Sequence, residues 1–315
     1  MSSAQAVDVL VTGLNIVDVL VRLPKDVQRG EKHEAQDLLI QGGAPAGNAA
    51  SLIASLGWRT GFVARMGSDA MSCIARSELT RHGVLEDFFI RDESSTPGVS
   101  VVEIDPFSGE RTVLYSLKGY RSLRSDDIPV SEVRRARLIL VDGYETDAAL
   151  TMLEAIQGTA CHSVLDIEAG NPETLRRLIE SGMHIILPLA AAQRLSGRMQ
   201  VEEALRELSS WTTGQVIATD GVNGSWAHTR DGIHHQPAFK VDALDTTGCG
   251  DAYHGAYASA LLDGLPLHLR MEFASWIAAH VALSLGGRSN LPTRESIKRA
   301  NLAVLSPELR RHVEY

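Results

Sequence analysis

The feature that most constrains the fold is a regular alternation of short apolar runs with amphipathic stretches. Val7 to Val11 is a buried strand that ends at Thr12-Gly13, and Gly61–Met66, Leu138–Val141, Ser163–Ile167, His184–Leu187 and Gln215–Thr219 repeat the pattern. Between these runs Ala49, Leu52, Ile53 and Leu56 share one helical face, and Gly57 stops that helix. Asp147–Ile156, Pro172–Ile179 and Val201–Trp211 are further helices. Strands that alternate with helices at this spacing predict an α/β fold, with a mainly parallel sheet covered on both faces. The C-terminal part is helical, over Asp251–Leu262 and Leu267–Leu285, with Gly264 and Gly286 just beyond. A chain of 315 residues, 44% hydrophobic, can bury a core without covalent staples. It shows no internal repeat or flexible linker, which predicts one domain over 1–315.

Several function classes are excluded. The net charge is −9, and no basic stripe is long enough to follow a nucleic-acid backbone. Cys73, Cys161 and Cys249 are widely spaced and form no CxxC pair, so neither a disulfide frame nor a zinc site is expected. No apolar run is long enough to cross a membrane, and MSSAQAVDVLVTG lacks a leader pattern, so a cytoplasmic protein is expected. The first strand ends Thr12-Gly13-Leu14-Asn15 without Gly-x-Gly-x-x-Gly, which argues against a dinucleotide dehydrogenase.

Two regions break the alternation. Val19–Ile40 has strand-like pieces without a helix, and Val99–Ile104 with Arg111–Ser116 forms a hairpin across Asp105–Gly109. If they meet, residues 14–41 and 97–118 make a small β lid over the strand ends, where α/β proteins place ligands. Two unrelated surface hairpins fit the pattern equally well. The charged stretch Arg121–Arg137 is expected to be a solvated connection with a short helix.

The chemistry concentrates in Asp245-Thr246-Thr247-Gly248-Cys249-Gly250-Asp251, which follows the extended piece Ala238–Leu244 and opens a helix. Gly248 and Gly250 let the backbone turn tightly and approach a ligand. The helix start adds unpaired amides and the positive end of the dipole, an anion site suited to a phosphoryl group. Asp251 in the first turn is either a helix cap or the base that takes the proton of an acceptor hydroxyl beside the arriving phosphate. Its place next to the anion site favours the second role. Cys249 has no companion base and is expected to be a small buried residue.

This segment, continued by Tyr253 and Gly255, resembles the second signature of the ribokinase-like, or phosphofructokinase-B, carbohydrate kinases. The resemblance implies a three-layer α/β/α fold with a β lid, ATP as phosphoryl donor, Asp251 as general base and the amides of Gly248, Cys249, Gly250 and Asp251 as anion hole. Gly42-Gly43-Ala44-Pro45-Ala46 resembles the first signature, which lines the sugar site. The family usually has Asn after this run, whereas this chain has Gly47 and then Asn48, on a different helical face. Asn15 and Asp18 resemble the ligands of sugar hydroxyls, and Lys32, after Gly30-Glu31, is placed to reach an anionic substrate. Met66-Gly67-Ser68-Asp69 fits the family's turn after the second strand. Thr219, Gly221 and Gly224 resemble the nucleotide-side loop, and Gly287 and Asn290 the segment near adenine. By the same resemblance Asp245 and Thr247 bind a monovalent cation such as potassium (K+). The family's Asn-x-x-Glu, which organises magnesium (Mg2+), is replaced by Pro188 and Ala191, so the metal is expected to ride on the phosphates of ATP and water, or activity to be reduced.

His235–Asp242, the first signature without its Asn and the missing Asn-x-x-Glu are most similar to the sulfofructose kinases of that family. These use a lid lysine, which Lys32 matches, and an arginine that Asp142-Gly143-Tyr144-Glu145 lacks. The expectation is therefore an ATP-dependent kinase for a sugar or sugar acid. A nucleoside kinase, with Phe107 or Tyr115 stacked on a base, is the alternative, as is a ligand-binding regulator that lost turnover. Many relatives dimerise through the lid, and Val99, Val101 and Val113 are candidates for that contact.

Overall fold

The computed structural model describes residues 7–314. Residues 1–6, part of the N-terminal segment without a leader pattern, and Tyr315 lie outside the described residues. The chain starts with β1 (Val9–Thr12), leaves as β2 (Ile16–Arg22) and β3 (Asp37–Gly43), and returns through α1 (Pro45–Ser55) to β4 (Thr60–Met66), α2 (Ala70–Thr80) and β5 (Phe89–Arg91). It leaves again as β6 (Gly98–Ile104) and β7 (Arg111–Ser116). After α3 (Val130–Arg135), strands β8 (Leu138–Asp142), β9 (His162–Asp166), β10 (His184–Pro188) and β11 (Gln215–Thr219) alternate with α4 (Thr146–Ala155), α5 (Pro172–Ser181), α6 (Leu189–Ser196) and α7 (Val201–Ser209). The hairpin β12 (Ser225–Thr229) and β13 (Gly232–Gln236) precedes α8 (Cys249–Leu262), α9 (Leu267–Val281), α10 (Arg294–Arg299) and α11 (Pro307–Glu314).

The large sheet has nine strands in the order β13-β12-β11-β10-β9-β8-β1-β4-β5. All its neighbours are parallel except β11–β12 and β12–β13. Strands β1 and β8 are buried at every position. Their side chains alternate between two cores, as a period of two requires. Val9, Val11, Leu138 and Leu140 join the core under α1, α8 and α9, and Leu10, Ile139 and Val141 join that under α4, α5 and α7. The fold is therefore helices on both faces of a mainly parallel sheet. The β12–β13 hairpin, with its polar sequence, gave no apolar signal. Helix α9 stops at Val281, short of the expected Leu285, because the chain turns there to hydrogen-bond the signature segment, Leu244 donating to the carbonyl of Ala282 at 2.8 Å. Residues 238–244 carry no regular strand.

The two excursions do meet. They form a four-stranded sheet, β3-β2-β6-β7, joined by the parallel pairing of β2 with β6 from Ile16↔Gly98 to Arg22↔Ile104. Asp18, Leu20, Ser100, Val102 and Ile104 are buried on its inner face. Leu38, Ile40, Val101, Val113 and Leu114 are exposed, whereas Val99 is half-buried. The hairpin tip rests on the signature segment: the Thr246 amide donates to the Gly109 carbonyl at 3.2 Å, and Arg111 Nη1 to the Thr246 carbonyl at 3.0 Å.

Candidate active site

The parallel strands end along one edge of the large sheet, and α8 begins beside it, tied by Tyr253 to Ser225 at the start of β12 (2.9 Å) and by His254 Nε2 to the carbonyl of Ile186 (3.3 Å). Gly248 caps α8 in the left-handed region, φ 79°, which an L side chain adopts only at a cost. A Cβ on Gly248 would also lie 2.5 Å from Cα of Gly287, so the two glycine loops touch backbone to backbone. The Cys249 amide donates to the Thr246 carbonyl at 3.3 Å. The amides of Gly250 and Asp251 meet no protein acceptor among the described residues. They are free donors at the positive end of a 14-residue helix.

Asp251 makes no capping bond to α8. Instead its Oδ2 accepts from Asn48 Nδ2 at 2.6 Å, and its half-buried Oδ1 meets no protein donor among the described residues. The chain thus gives Asp251 a partner on α1 and leaves one carboxylate oxygen open. Asn48, expected at the sugar, touches the acid itself. Burial pushes the Cys249 thiol up to about 12, so it stays protonated and is no nucleophile at neutral pH.

The sugar-side residues converge. Asp18 is buried behind Gly43, where a Cβ would lie 2.0 Å from its Oδ2, and Oδ1 accepts from Ser100 Oγ at 2.5 Å. Burial raises its carboxyl above the usual range, against the hydrogen bond from Ser100 and the charge of Arg288. Asn15 is buried with an unpartnered Oδ1, close to Gly47. Gly42 donates its amide to Glu78 Oε2 at 3.1 Å. Behind these glycines lies Arg288, completely buried. Lys32 does not join them: it is exposed in the loop between β2 and β3 and makes no hydrogen bond or ion pair among the described residues. Phe107 lies 5.8 Å under Lys25 Nζ and Tyr115 is exposed.

On the nucleotide side, Thr219 ends β11, and Gly221 and Gly224 bound a tight turn that leads into β12. Asp245 is buried, and its carboxylate accepts from the amides of Thr247 (2.8 Å) and Gly286 (2.7 Å), binding the signature to the 286–290 loop. Asn290 is exposed at the end of that loop. Thr247 Oγ1 is buried and unpartnered, as are Gln41 Nε2 and Arg288 Nη1. Native proteins pair nearly all such atoms, so their gathering with Asn15 Oδ1 around the 42–47 and 286–288 glycine segments marks a place prepared for water or ligand. Among the described residues no group of three or more His, Cys, Asp or Glu side chains is set to hold a metal ion, and Pro188 and Ala191 supply no ligand.

Sequence reasoning missed four participants. Arg288 is one, inside the 286–290 loop. Asp142, whose carboxylate accepts from the amides of Leu14 (2.8 Å) and Tyr144 (2.9 Å), holds the turn after β1. His254 and Asp166 pair behind α8 (3.3 Å), with His254 Nδ1 also 2.7 Å from the Gly250 carbonyl. Burial drives both toward neutrality, raising Asp166 and lowering His254. None of these had a local pattern to reveal its partner.

The model of the pfkB family carbohydrate kinases matches residues 7–294. The chain belongs to that family. It is 24% identical over 301 residues to a deoxyribokinase of Salmonella typhi, covering 91% of this chain and 96% of the relative. It is 25% identical over 289 residues to a fructokinase of Klebsiella pneumoniae, covering 85% and 94%. The structure of Arabidopsis thaliana ribokinase complexed with ribose and ATP superposes with a TM-score of 0.81 at 23% identity, over 96% of this chain and all (100%) of that one. This pfkB carbohydrate kinase thus shares the ribokinase fold.

Proposed function

We propose that the protein transfers the γ-phosphate of ATP to a hydroxyl of a small sugar or sugar derivative, with Asp251 as general base. The observation that carries this reading is the pairing of an open Asp251 oxygen with the free amides of Gly250 and Asp251 at the start of α8. Asp18 and Asn15 accept sugar hydroxyls, Oδ1 of Asp251 takes the proton of the attacking one, and the amides meet the charge on the transferred group. The loops at Thr219–Gly224 and Gly287–Asn290 face the nucleotide. Relatives named for ribose, deoxyribose and fructose favour a sugar acceptor. The buried Thr247 Oγ1 and the Asp245 carboxylate are oxygen donors suited to a monovalent cation, which would supply counter-charge. Among the described residues there is no carboxylate cage for magnesium, so the metal comes with ATP, held by phosphate and water.

The small sheet, residues 14–41 and 97–118, acts as a lid that excludes water. Its outer apolar face, with Leu38 64% and Leu114 58% exposed, suits a second copy of the chain. Sedimentation equilibrium should give a dimer that Leu114→Lys dissociates, and a monomeric wild type ends that idea. The three unpaired cysteines suit the reducing cytoplasm.

The test is ADP formation from ATP over D-ribose, 2-deoxy-D-ribose, D-fructose, 5-dehydro-2-deoxygluconate and sulfofructose. At least one should be turned over, and Asp251→Asn should then lower kcat by about 10³-fold while ATP affinity changes less than about threefold. No turnover on the panel sinks the kinase reading, and full activity of Asp251→Asn sinks the assigned base.

A further inference from the structure

Two glycines, Gly42 and Gly47, leave a space that one distant side chain fills. A Cβ on Gly42 would lie 2.2 Å from Arg288 Nη1, and one on Gly47 would lie 2.4 Å from Arg288 Nη2. Gly43 supplies its carbonyl, which accepts from Nη2 at 2.8 Å. Arg288 Nε donates to Asn48 Oδ1 at 2.7 Å, and Asn48 Nδ2 donates to Asp251 Oδ2 at 2.6 Å. Here Gly47 and Arg288 stand together: the residue without a side chain makes room for the guanidinium.

The order of this chain of bonds is forced by chemistry. A guanidinium N–H only donates and a carboxylate only accepts, so an amide between them has one way to satisfy both. Asn48 must turn its oxygen to Arg288 and its NH2 to Asp251. The guanidinium is pulled down to about 10 by burial and stays charged at neutral pH. Burying an ion adds little stability over an apolar side chain of similar volume, so what Arg288 contributes is orientation. From these contacts we infer that Arg288 is a positioning residue for the catalytic base, acting through Asn48 to hold one oxygen of Asp251 so that the other faces the acceptor. The inference rests on the reading of Asp251 as the base. Among the described residues the charged and titratable groups around that carboxylate are Asp18, Asp166, Glu168, Cys249, His254 and Arg288, and of these Arg288 alone reaches it through a hydrogen-bonded amide.

The test is a double-mutant cycle of Asn48→Ala and Arg288→Met, with Asp251→Asn alongside, using whichever sugar of the panel is turned over. Each single change should lower kcat by about 10–100-fold, with KM for ATP within about threefold of wild type, and the double variant should be no worse than Arg288→Met alone. If the two losses multiply, or Asn48→Ala keeps wild-type kcat, the relay is wrong. Should Arg288→Met fail to fold, Asn48→Ala decides alone by the same kcat and KM criteria. A case in which Asp251→Asn loses turnover and Asn48→Ala keeps wild-type kcat removes the relay and keeps the base. Undiminished turnover by Asp251→Asn removes both.

Discussion

The two glycine-rich segments of the site, 42–48 and 245–251, look alike in sequence and work differently. The second is built mainly from its own backbone: Gly248 sets the turn, α8 aims the amides, and Asp245 accepts from the amide of Thr247 and, across to the neighbouring loop, from that of Gly286. The first is an empty space until Arg288, 240 residues beyond Asn48, fills it. Glycine therefore marks a backbone conformation in one segment and room for a side chain in the other.

A graded set of substitutions can break or sharpen this contrast. Gly248→Ala should have the largest effect, since it meets both a positive φ and the backbone of Gly287. A loss of about 1–3 kcal/mol of stability with about 10²-fold in kcat is expected from chemical denaturation and steady-state kinetics. Unchanged activity would mean that the backbone at 248 does not shape the anion site.

Asp142 comes next, on the first segment's side. Burial raises its carboxyl to about 6, so its stabilising contribution is fully present below its unfolded value near 3.8 and is lost as pH rises through 6. Unfolding free energy should fall by about 2 kcal/mol between pH 4 and pH 7 from this group, and Asp142→Asn should be less stable yet lose that slope. A variant with the wild-type slope would place the pH dependence elsewhere.

Gly47→Ala should cost about 1–2 kcal/mol, because its Cβ strikes the movable end of Arg288 and not backbone. Its kcat should fall about tenfold, with KM for ATP unmoved. The smallest effect belongs to Gly250→Ala, where a Cβ meets nothing within 4 Å and the helical position gains up to about 1 kcal/mol. A destabilised Gly250→Ala would show the second segment to be as tightly packed as the first.

The sequence by itself determined the alternating strands and helices, the hairpin from Val99 to Ser116 and the local signature from Asp245 to Asp251. Each rests on interactions within a few residues: apolar period, turn chemistry and a helix start. Whether the two excursions paired, what filled the space beside Gly42 and Gly47, and which partner Asp251 took were left to the tertiary structure. The pairing of Ile16 with Gly98 and the bonds from Arg288 through Asn48 to Asp251 join segments far apart in the chain. An arginine carries no local mark of the amide it will meet, because only the packing of the whole sheet brings the two within hydrogen-bond reach.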